Sequence, residues 1–243
     1  MQHKILVLGG TGLARKAANA LVARAQQVIS SLAGVTRNPH LPRGEIRMGG
    51  FGGIDGLVSY TSHEKFDWIV DATHPFAAQM SAHTHAACTR LGVKLIRLEA
   101  PAWLPQNGDD WRVVSAVADA AQSLPKNTNV AVTVGRKEIG AFFVRSDLSG
   151  IARMIEPPEV EVPPQWQLLL ERPPFTLESE IDLLRASNMN FLVSKNAGGA
   201  RVAKLDAAAE LGVPVIMVSR PFKPAVTTVS NVAELLGSLG FEE

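Results

Sequence analysis

Short apolar runs alternate along the chain with longer segments in which apolar residues recur at helical spacing. The first run, KILVLGG, covers residues 4–10, and in the segment after it Leu13, Ala17 and Leu21 fall on one helical face. Further apolar runs in the first hundred residues lie at residues 28–36, 45–50, 67–73 and 93–98. Strands that alternate with helices favour a parallel sheet covered on both faces. The pattern therefore predicts an α/β fold.

The alternation stops once, near residues 97–115, where prolines, Gly108 and paired aspartates gather. It then resumes with apolar runs at residues 129–135, 150–156, 167–173, 190–196 and 214–220, and with amphipathic helices at residues 178–187 and 201–212. A break of this composition is typical of a domain boundary. We therefore predict two α/β domains, residues 1–100 and residues 101–243, with a cleft between them as the default ligand site.

The composition is that of an ordinary globular protein. Apolar residues make up 46% of the chain, and 24 Lys and Arg nearly balance 23 Asp and Glu, so the totals carry no signature of a nucleic-acid-binding surface. The single cysteine excludes an intramolecular disulfide framework and fits a reducing compartment. The first apolar run is too short for a signal-peptide core or a membrane span. We therefore expect a cytoplasmic protein that binds neither nucleic acid nor a membrane.

The segment LVLGGTGLAR places three glycines between the first predicted strand and the first predicted helix. Backbone N–H groups and the positive end of a helix can bind a pyrophosphate there, and missing side chains let it approach. In a G-x-G-x-x-G pattern that begins at Gly10, however, Arg15 stands at the third glycine position, so a plain tight turn remains the alternative. The candidate phosphate-binding residues are Gly9, Gly10, Thr11, Gly12, Leu13, Ala14 and Arg15.

The end of the second predicted strand indicates which dinucleotide would bind. NAD sites generally carry an acid there for the ribose hydroxyls, whereas NADP sites carry a cation for the 2′-phosphate. This chain has Thr36 and Arg37 in the segment GVTRNP and no acid, which favours NADPH over NADH; a solvated loop arginine remains the alternative. Gly50, in the segment MGGFGG, is a further candidate for close approach of the nucleotide, or part of a flexible turn.

The segment VDATHPFAAQMSAHTHAACTR contains three histidines and the only cysteine. Pro75 suits the first position of a helix that runs to about Leu91, which makes His74 the predicted N-cap residue. Thr73 and His74 lie at the carboxyl end of a strand, where open α/β sheets bind ligands, and are therefore candidates for the cofactor side of the site.

The later histidines do not form a metal site in this interpretation. His83 and His85 are two residues apart, about 200° around a helix, and cannot face one ion together. His85 and Cys88 share a face, but two ligands do not make a closed zinc site. We therefore predict no metal and expect these three side chains to pack or to face solvent.

Cations gather after two predicted strands of the second half. They lie in the segments VTVGRKEIGAF and LVSKNAGGARVAKLDAA, together with small polar residues and glycines. Clustering at strand ends favours a polyanionic substrate, although a solvated charged surface is the alternative for each cation taken singly. The candidate substrate-binding residues are Arg136, Lys137, Ser194, Lys195, Asn196, Arg201 and Lys204.

Six segments, taken in order, carry a resemblance to a known family: LVLGGTGLAR, VDATHPFA, RLEAPAW, VTVGRKEIGAF, VSKNAGGA with KLDAA after it, and PVIMVSRP. Nearly the whole chain resembles the precorrin-6A reductase family of cobalamin biosynthesis, including its cobalt-precorrin relatives. The resemblance implies two Rossmann-like three-layer domains with mainly parallel sheets and an active-site cleft between them. It also implies NADPH-dependent reduction of one double bond of precorrin-6A, giving precorrin-6B.

The implied reaction needs a hydride from the nicotinamide and a proton from an acid or water. The candidate proton donors are Lys195, Lys204, Asp147 and His74, and bound water is the other source. A precorrin carries many carboxylates, which would explain the cations of the second half. Two other functions remain open: a non-catalytic sensor that binds NADP(H), and a reductase of another acidic small molecule. Contacts with other enzymes of the pathway are also open.

Overall fold

The computed structural model describes residues 2–34 and 40–241 of the chain. The described strands are β1 Lys4–Leu8, β2 Gln27–Leu32, β3 Glu45–Met48, β4 Trp68–Asp71, β5 Lys94–Leu98, β6 Trp111–Val114, β7 Thr128–Thr133, β8 Leu148–Met154, β9 Trp166–Leu170, β10 Phe191–Lys195, β11 Val215–Val218 and β12 Thr228–Val229. The described helices are α1 Gly12–Ala23, α2 Ile54–Glu64, α3 Ala78–Leu91, α4 Val117–Ser123, α5 Gly140–Phe143, α6 Leu177–Ala186, α7 Ala203–Leu211 and α8 Val232–Ser238.

The chain forms two compact units, which confirms the prediction of a two-domain α/β protein. Unit 1 comprises Met1–Pro101 together with Phe222–Glu243, and unit 2 comprises Ala102–Pro221. The first boundary lies one residue from the predicted one. The prediction that the second domain extends to residue 243 is wrong, because the last segment of the chain returns to the first unit.

Unit 1 contains a six-stranded sheet in the order β12-β5-β4-β1-β2-β3, and its described strand pairs are parallel. The four residues Ile5, Leu6, Val7 and Leu8 of β1 are all buried, which is why this central strand is a continuous apolar run. Ile5 and Val7 pack on the face covered by α1 and α8, whereas Leu6 and Leu8 pack on the face covered by α2 and α3.

The return of the C-terminal segment has a physical basis in both of its elements. The two residues of β12 pair with Arg97 and Leu98 of β5, and α8 buries Leu235 completely against the α1 side of the sheet. A strand of two residues carries no recognisable period, and only the complete sheet reveals where its backbone hydrogen bonds go.

Unit 2 contains a second six-stranded sheet in the order β6-β11-β10-β7-β8-β9, again with parallel described pairs. Strand β6 lies in the segment predicted to be a linker. It is an edge strand whose Val113 is 67% exposed, so its sequence lacks the apolar run that marks the central strands. The predicted helices at residues 178–187 and 201–212 correspond to α6 and α7, and α7 ends at Gly212 in the left-handed conformation.

No helix in the described ranges, 2–34 and 40–241, is both long and apolar enough to cross a membrane.

Leu235 provides a test of the C-terminal return. We expect Leu235→Ala to lower the free energy of unfolding by about 2–5 kcal/mol, because it leaves a cavity in the unit 1 core. The matched control on the same helix is Gly237→Ala. A Cβ there would meet nothing within 4 Å, so this variant should be neutral or up to about 1 kcal/mol more stable. Chemical denaturation measures both, and a loss below 1 kcal/mol in Leu235→Ala would contradict the packing.

Candidate functional site

The loop between β1 and α1 is held at three points. The Gly9 N–H donates to the Ser31 carbonyl on β2 at 3.0 Å. The Thr11 hydroxyl accepts from the Ala14 N–H at 3.0 Å, as the N-cap of α1, and donates to the Ala72 carbonyl after β4 at 3.1 Å. The loop is therefore positioned against the ends of both neighbouring strands.

The glycines of this loop have two different roles. A Cβ at Gly9 would lie 3.2 Å from the Ala14 Cβ, so Gly9 permits close packing of α1. Gly10, with φ +115°, and Gly12 face open space, because a Cβ at either would meet nothing within 4 Å. Ala14, not Arg15, makes the close helix contact, so an arginine at the third glycine position leaves that packing intact. The open surface lies before the first-turn N–H groups of α1, which have no acceptor within the helix and can bind a phosphate.

The residues predicted to bind the 2′-phosphate, Thr36 and Arg37, lie outside the described residues. The next candidate, Gly50, follows β3 and is held by Arg47. The Arg47 guanidinium donates to the carbonyls of Gly49 and Gly50 at 2.7 and 2.8 Å and lies 3.9 Å from the ring centroid of Phe51. The Arg47 side chain therefore holds the backbone of this glycine turn at two carbonyl groups.

The prediction that His74 is the N-cap of α3 is wrong, because the helix begins at Ala78 after a separate turn. In that turn the His74 Nδ1 accepts from the Phe76 N–H at 3.2 Å, and the His74 carbonyl accepts from the Ala77 N–H at 2.8 Å. These two bonds form a turn over residues 74–77, and the regular helix starts after it. His74 is exposed and Thr73 is partly exposed at the carboxyl edge of the sheet.

A buried ion pair that sequence reasoning missed lies directly beneath Thr73. The Thr73 hydroxyl donates to Asp71 Oδ1 at 2.7 Å, and Asp71 Oδ2 lies 3.5 Å from Arg97 Nε. The side chains of Asp71 and Arg97 are only 2% and 8% exposed. One signal was available, since each is a charged residue at the end of an apolar strand, where burial requires a partner.

The same edge binds the returning C-terminal segment. Arg97 Nη1 donates to the Pro224 carbonyl at 3.0 Å, and Lys223 forms a buried ion pair with Glu99. Charges on β5 and just after it thus secure the segment that leads to β12.

The histidines and the cysteine of α3 lie on different parts of the helix. Cys88 packs in the core with Leu57 and Phe66, and burial raises the pKa of its thiol to about 12. His83 and His85 are partly buried. Within residues 2–34 and 40–241 no group of three or more His, Cys, Asp or Glu side chains is placed to hold a metal ion.

Two lysines lie together at the carboxyl edge of the unit 2 sheet. Lys195 ends β10 and forms an ion pair with Glu138, in the loop after β7. Lys204, in the first turn of α7, donates to the hydroxyl of Thr133 at the end of β7 at 2.8 Å. Burial lowers the pKa of both lysines to about 8, and the nearby Arg153 contributes to the shift of Lys204.

Two of the predicted substrate-binding residues, Ser194 and Arg201, are bonded to other residues of unit 2. Ser194 is fully buried, and its hydroxyl donates to the Lys195 carbonyl. Arg201 donates from both Nη atoms to the buried carboxylate of Asp109, at 2.9 and 2.7 Å, and its Nε pairs with Asp206. These bonds hold Ser194 and Arg201 to other residues of unit 2, and a direct substrate contact by either stays a prediction.

Asn196 likewise joins two segments of unit 2. Its Oδ1 accepts from the Trp103 N–H at 2.8 Å, and its Nδ2 donates to the Trp103 carbonyl at 2.9 Å. The Trp103 ring N–H donates to the Gly199 carbonyl at 3.1 Å. These bonds join the segments RLEAPAW and VSKNAGGA, and they give Asn196 a structural role.

Two other predicted cations remain near the same edge. Arg136 and Lys137 follow β7; Arg136 Nη2 lies 3.9 Å from a Glu159 carboxylate oxygen, and Lys137 is exposed. Both stay candidates for binding carboxylates.

The structure contradicts the prediction of Asp147 as a proton donor. Asp147 immediately precedes β8, at the amino edge of a parallel sheet, whereas Lys195 and Lys204 lie at the carboxyl edge. Arg145 donates to both its oxygens at 2.7 and 2.6 Å and thereby lowers the pKa of this carboxyl group. Asp147 is therefore ionised at neutral pH and has no proton to donate.

Comparison with known proteins agrees with the fold. The family model described as precorrin-6x reductase CbiJ/CobK matches residues 4–239. The precorrin-6A reductase of Rhodococcus erythropolis is 45% identical over 241 residues, covering 98% of this chain and 97% of the relative. That of Rhodobacter capsulatus is 39% identical over 239 residues, covering 97% and 95%. A solved structure of CobK precorrin-6A reductase has a TM-score of 0.92 at 39% identity and covers 99% of this chain and 96% of its own.

The lowered pKa of Lys204 predicts a pH-dependent stability. Because the unfolded lysine titrates near about 10.4, the unfolded chain binds more protons between about pH 8 and that value, so stability rises with pH through this window. We expect Lys204→Met to raise the free energy of unfolding at pH 7 by about 1–3 kcal/mol and to lose that advantage at pH 10.5.

Denaturation in urea at both pH values measures this difference. The control is Lys126→Met, which removes an exposed lysine of the same unit and should change stability little at either pH. An advantage of Lys204→Met that persists unchanged at pH 10.5 would show that packing, not charge, is responsible.

Proposed function

The chain belongs to the precorrin-6x reductase family CbiJ/CobK, and we propose that it reduces precorrin-6A to precorrin-6B with NADPH in the cytoplasm. The observation that carries this proposal is the match of the family model to residues 4–239. In addition, the chain is 45% and 39% identical to two precorrin-6A reductases over almost their whole length. Both units, and not the dinucleotide fold alone, are therefore shared with the relatives.

The glycine loop of unit 1 fits the cofactor. Gly10 and Gly12 leave open space before the N-terminus of α1, and the Thr11 hydroxyl holds the loop at the ends of β1 and β4. In the proposal, residues 9–15 bind the phosphates, and Thr36 and Arg37 bind the 2′-phosphate of NADPH, because no acid follows β2 to accept from the ribose of NADH.

The lysine edge of unit 2 suits a polycarboxylate. Lys195 and Lys204 are supported by Arg136 and Lys137, whereas Ser194, Asn196 and Arg201 shape the edge without touching substrate in this proposal. Partly desolvated cations attract carboxylates more strongly than cations in water do. The substrate's own charge would then offset the cost of burying these lysines.

The reduction adds two electrons and two protons in total to one carbon–carbon double bond. NADPH, when bound, would supply the hydride for one carbon and would itself be oxidised to NADP⁺. The second carbon takes a proton, and a lysine with a pKa of about 8 is mostly protonated at pH 7 yet can release that proton. Lys195 and Lys204 are therefore our candidates for the general acid, with His74 of unit 1 and bound water as the other sources.

The proposed reaction has a direct test. We expect absorbance at 340 nm to fall when the protein, NADPH and precorrin-6A are mixed, and not when any one is omitted. NADPH binding without turnover of precorrin-6A would favour a sensor, whereas turnover only with a different acidic molecule would favour a reductase of another substrate. Either result would overturn the proposed function.

Dinucleotide selectivity tests the role of Arg37. We expect Arg37→Ala to weaken NADPH binding about ten- to a hundredfold, through the loss of a hydrogen bond to a charged group, and to leave NADH binding almost unchanged. The control is Arg43→Ala, which removes an exposed arginine a few residues away. Equal losses for NADPH and NADH, measured by titration calorimetry, would remove Arg37 from the 2′-phosphate site.

A further inference from the structure

We infer that the Thr73 hydroxyl accepts a hydrogen bond from the carboxamide N–H of the nicotinamide, and that Asp71 is a positioning residue which makes Thr73 an acceptor. The inference rests on the proposed use of a nicotinamide cofactor. It concerns how one end of that cofactor is recognised, which neither the family nor the phosphate loop determines.

The strand order of unit 1 places Thr73 on the nicotinamide side. Strands β2 and β4 flank β1 on opposite sides, so a dinucleotide whose phosphates lie at the β1 to α1 loop extends one half toward each. The adenosine half belongs with the end of β2 in a fold of this order, which leaves the nicotinamide half for the end of β4. The bond from Thr11 to the Ala72 carbonyl keeps the Thr73 backbone beside the phosphate loop.

The hydrogen bond that the Thr73 hydroxyl already makes determines whether it can donate to a ligand or accept from one. A threonine hydroxyl has one proton, and here that proton is donated to Asp71 Oδ1 at 2.7 Å. The oxygen keeps its lone pairs and belongs to a partly exposed residue, so toward a ligand it acts as an acceptor only. A ligand group that meets this oxygen must therefore be a donor.

Asp71 is held in the orientation that this arrangement needs. Its Oδ1 also accepts from the Thr73 N–H at 3.3 Å, and its Oδ2 faces Arg97 Nε at 3.5 Å from the paired position on β5. Arg97 is in turn bound to the Pro224 carbonyl. A carboxylate has no proton to donate, so in this bond the Thr73 hydroxyl is the donor and Asp71 is the acceptor.

The nicotinamide ring carries one primary carboxamide, whose NH₂ is its only hydrogen-bond donor. An acceptor aimed at that group would fix which way the amide points and hence how the ring lies. Replacement of the amide by an acetyl group removes the donor and keeps the ring, which gives a sharp probe.

The experiment compares NADP⁺ with its 3-acetylpyridine analogue by titration calorimetry, without precorrin. We expect Thr73→Val to weaken NADP⁺ binding about five- to tenfold, as for loss of one hydrogen bond, and to leave the analogue unaffected. Thr73→Ser should restore the preference for NADP⁺. The matched control is Thr89→Val, on an exposed threonine whose hydroxyl bonds only its own helix among the described contacts.

Asp71→Asn tests the positioning role. Its effect on NADP⁺ binding should vanish in the Thr73→Val background, because Asp71 acts through that hydroxyl. Equal losses for both dinucleotides, or no loss in Thr73→Val, would overturn the inference while leaving the proposed reaction intact. Should the unaltered protein bind neither NADP⁺ nor NADPH, the proposed cofactor itself would be refuted.

Discussion

Parallel strands end at one edge of their sheet, and that constraint governs where chemistry is located in both units. In unit 1 the glycine loop follows β1, and Thr73 follows the adjacent β4. In unit 2 Glu138, in the loop after β7, pairs with Lys195, the last residue of β10. Because every described pair is parallel, residues far apart in sequence share one edge. The amino edge receives residues such as Asp147, which has only a structural partner.

Buried charge divides into two kinds in this protein. Some pairs are closed within the fold, as Glu180 is with Arg153 at 2.7 Å, and removing one partner would leave an uncompensated charge. The Lys195 and Lys204 ammonium groups differ from that pair in one respect: burial depresses their pKa toward neutrality, although Lys195 is paired with Glu138 and Lys204 donates to Thr133. A polycarboxylate would add negative charge beside them, so the same feature that costs folding stability suits binding. A loss of folding stability in exchange for binding is expected at a site that binds an anion.

Sequence patterns predicted those elements that are strongly periodic. The buried apolar runs of β1, β4 and β10 and the amphipathic helices α1 and α7 all lie close to their predicted positions. The errors occur where the pattern is weak. Strand β6 is an exposed edge, β12 has two residues, and α3 begins one turn late because His74 closes a turn of its own.

The sequence by itself determined the fold class, the position of the glycine loop and the family, because periodic burial and short glycine motifs are local properties of the chain. It also marked the cations of unit 2 as a group. Only the tertiary structure decided which partner each of them has: Arg201 is bound to Asp109, Lys195 is paired with Glu138, and Lys204 donates to Thr133. Likewise, Asp71 pairs with Arg97 because of the register between β4 and β5. That pair in turn determines that the Thr73 hydroxyl donates to Asp71 and can only accept from a ligand. A side chain's partners are set by the packing of distant segments, which no local pattern records.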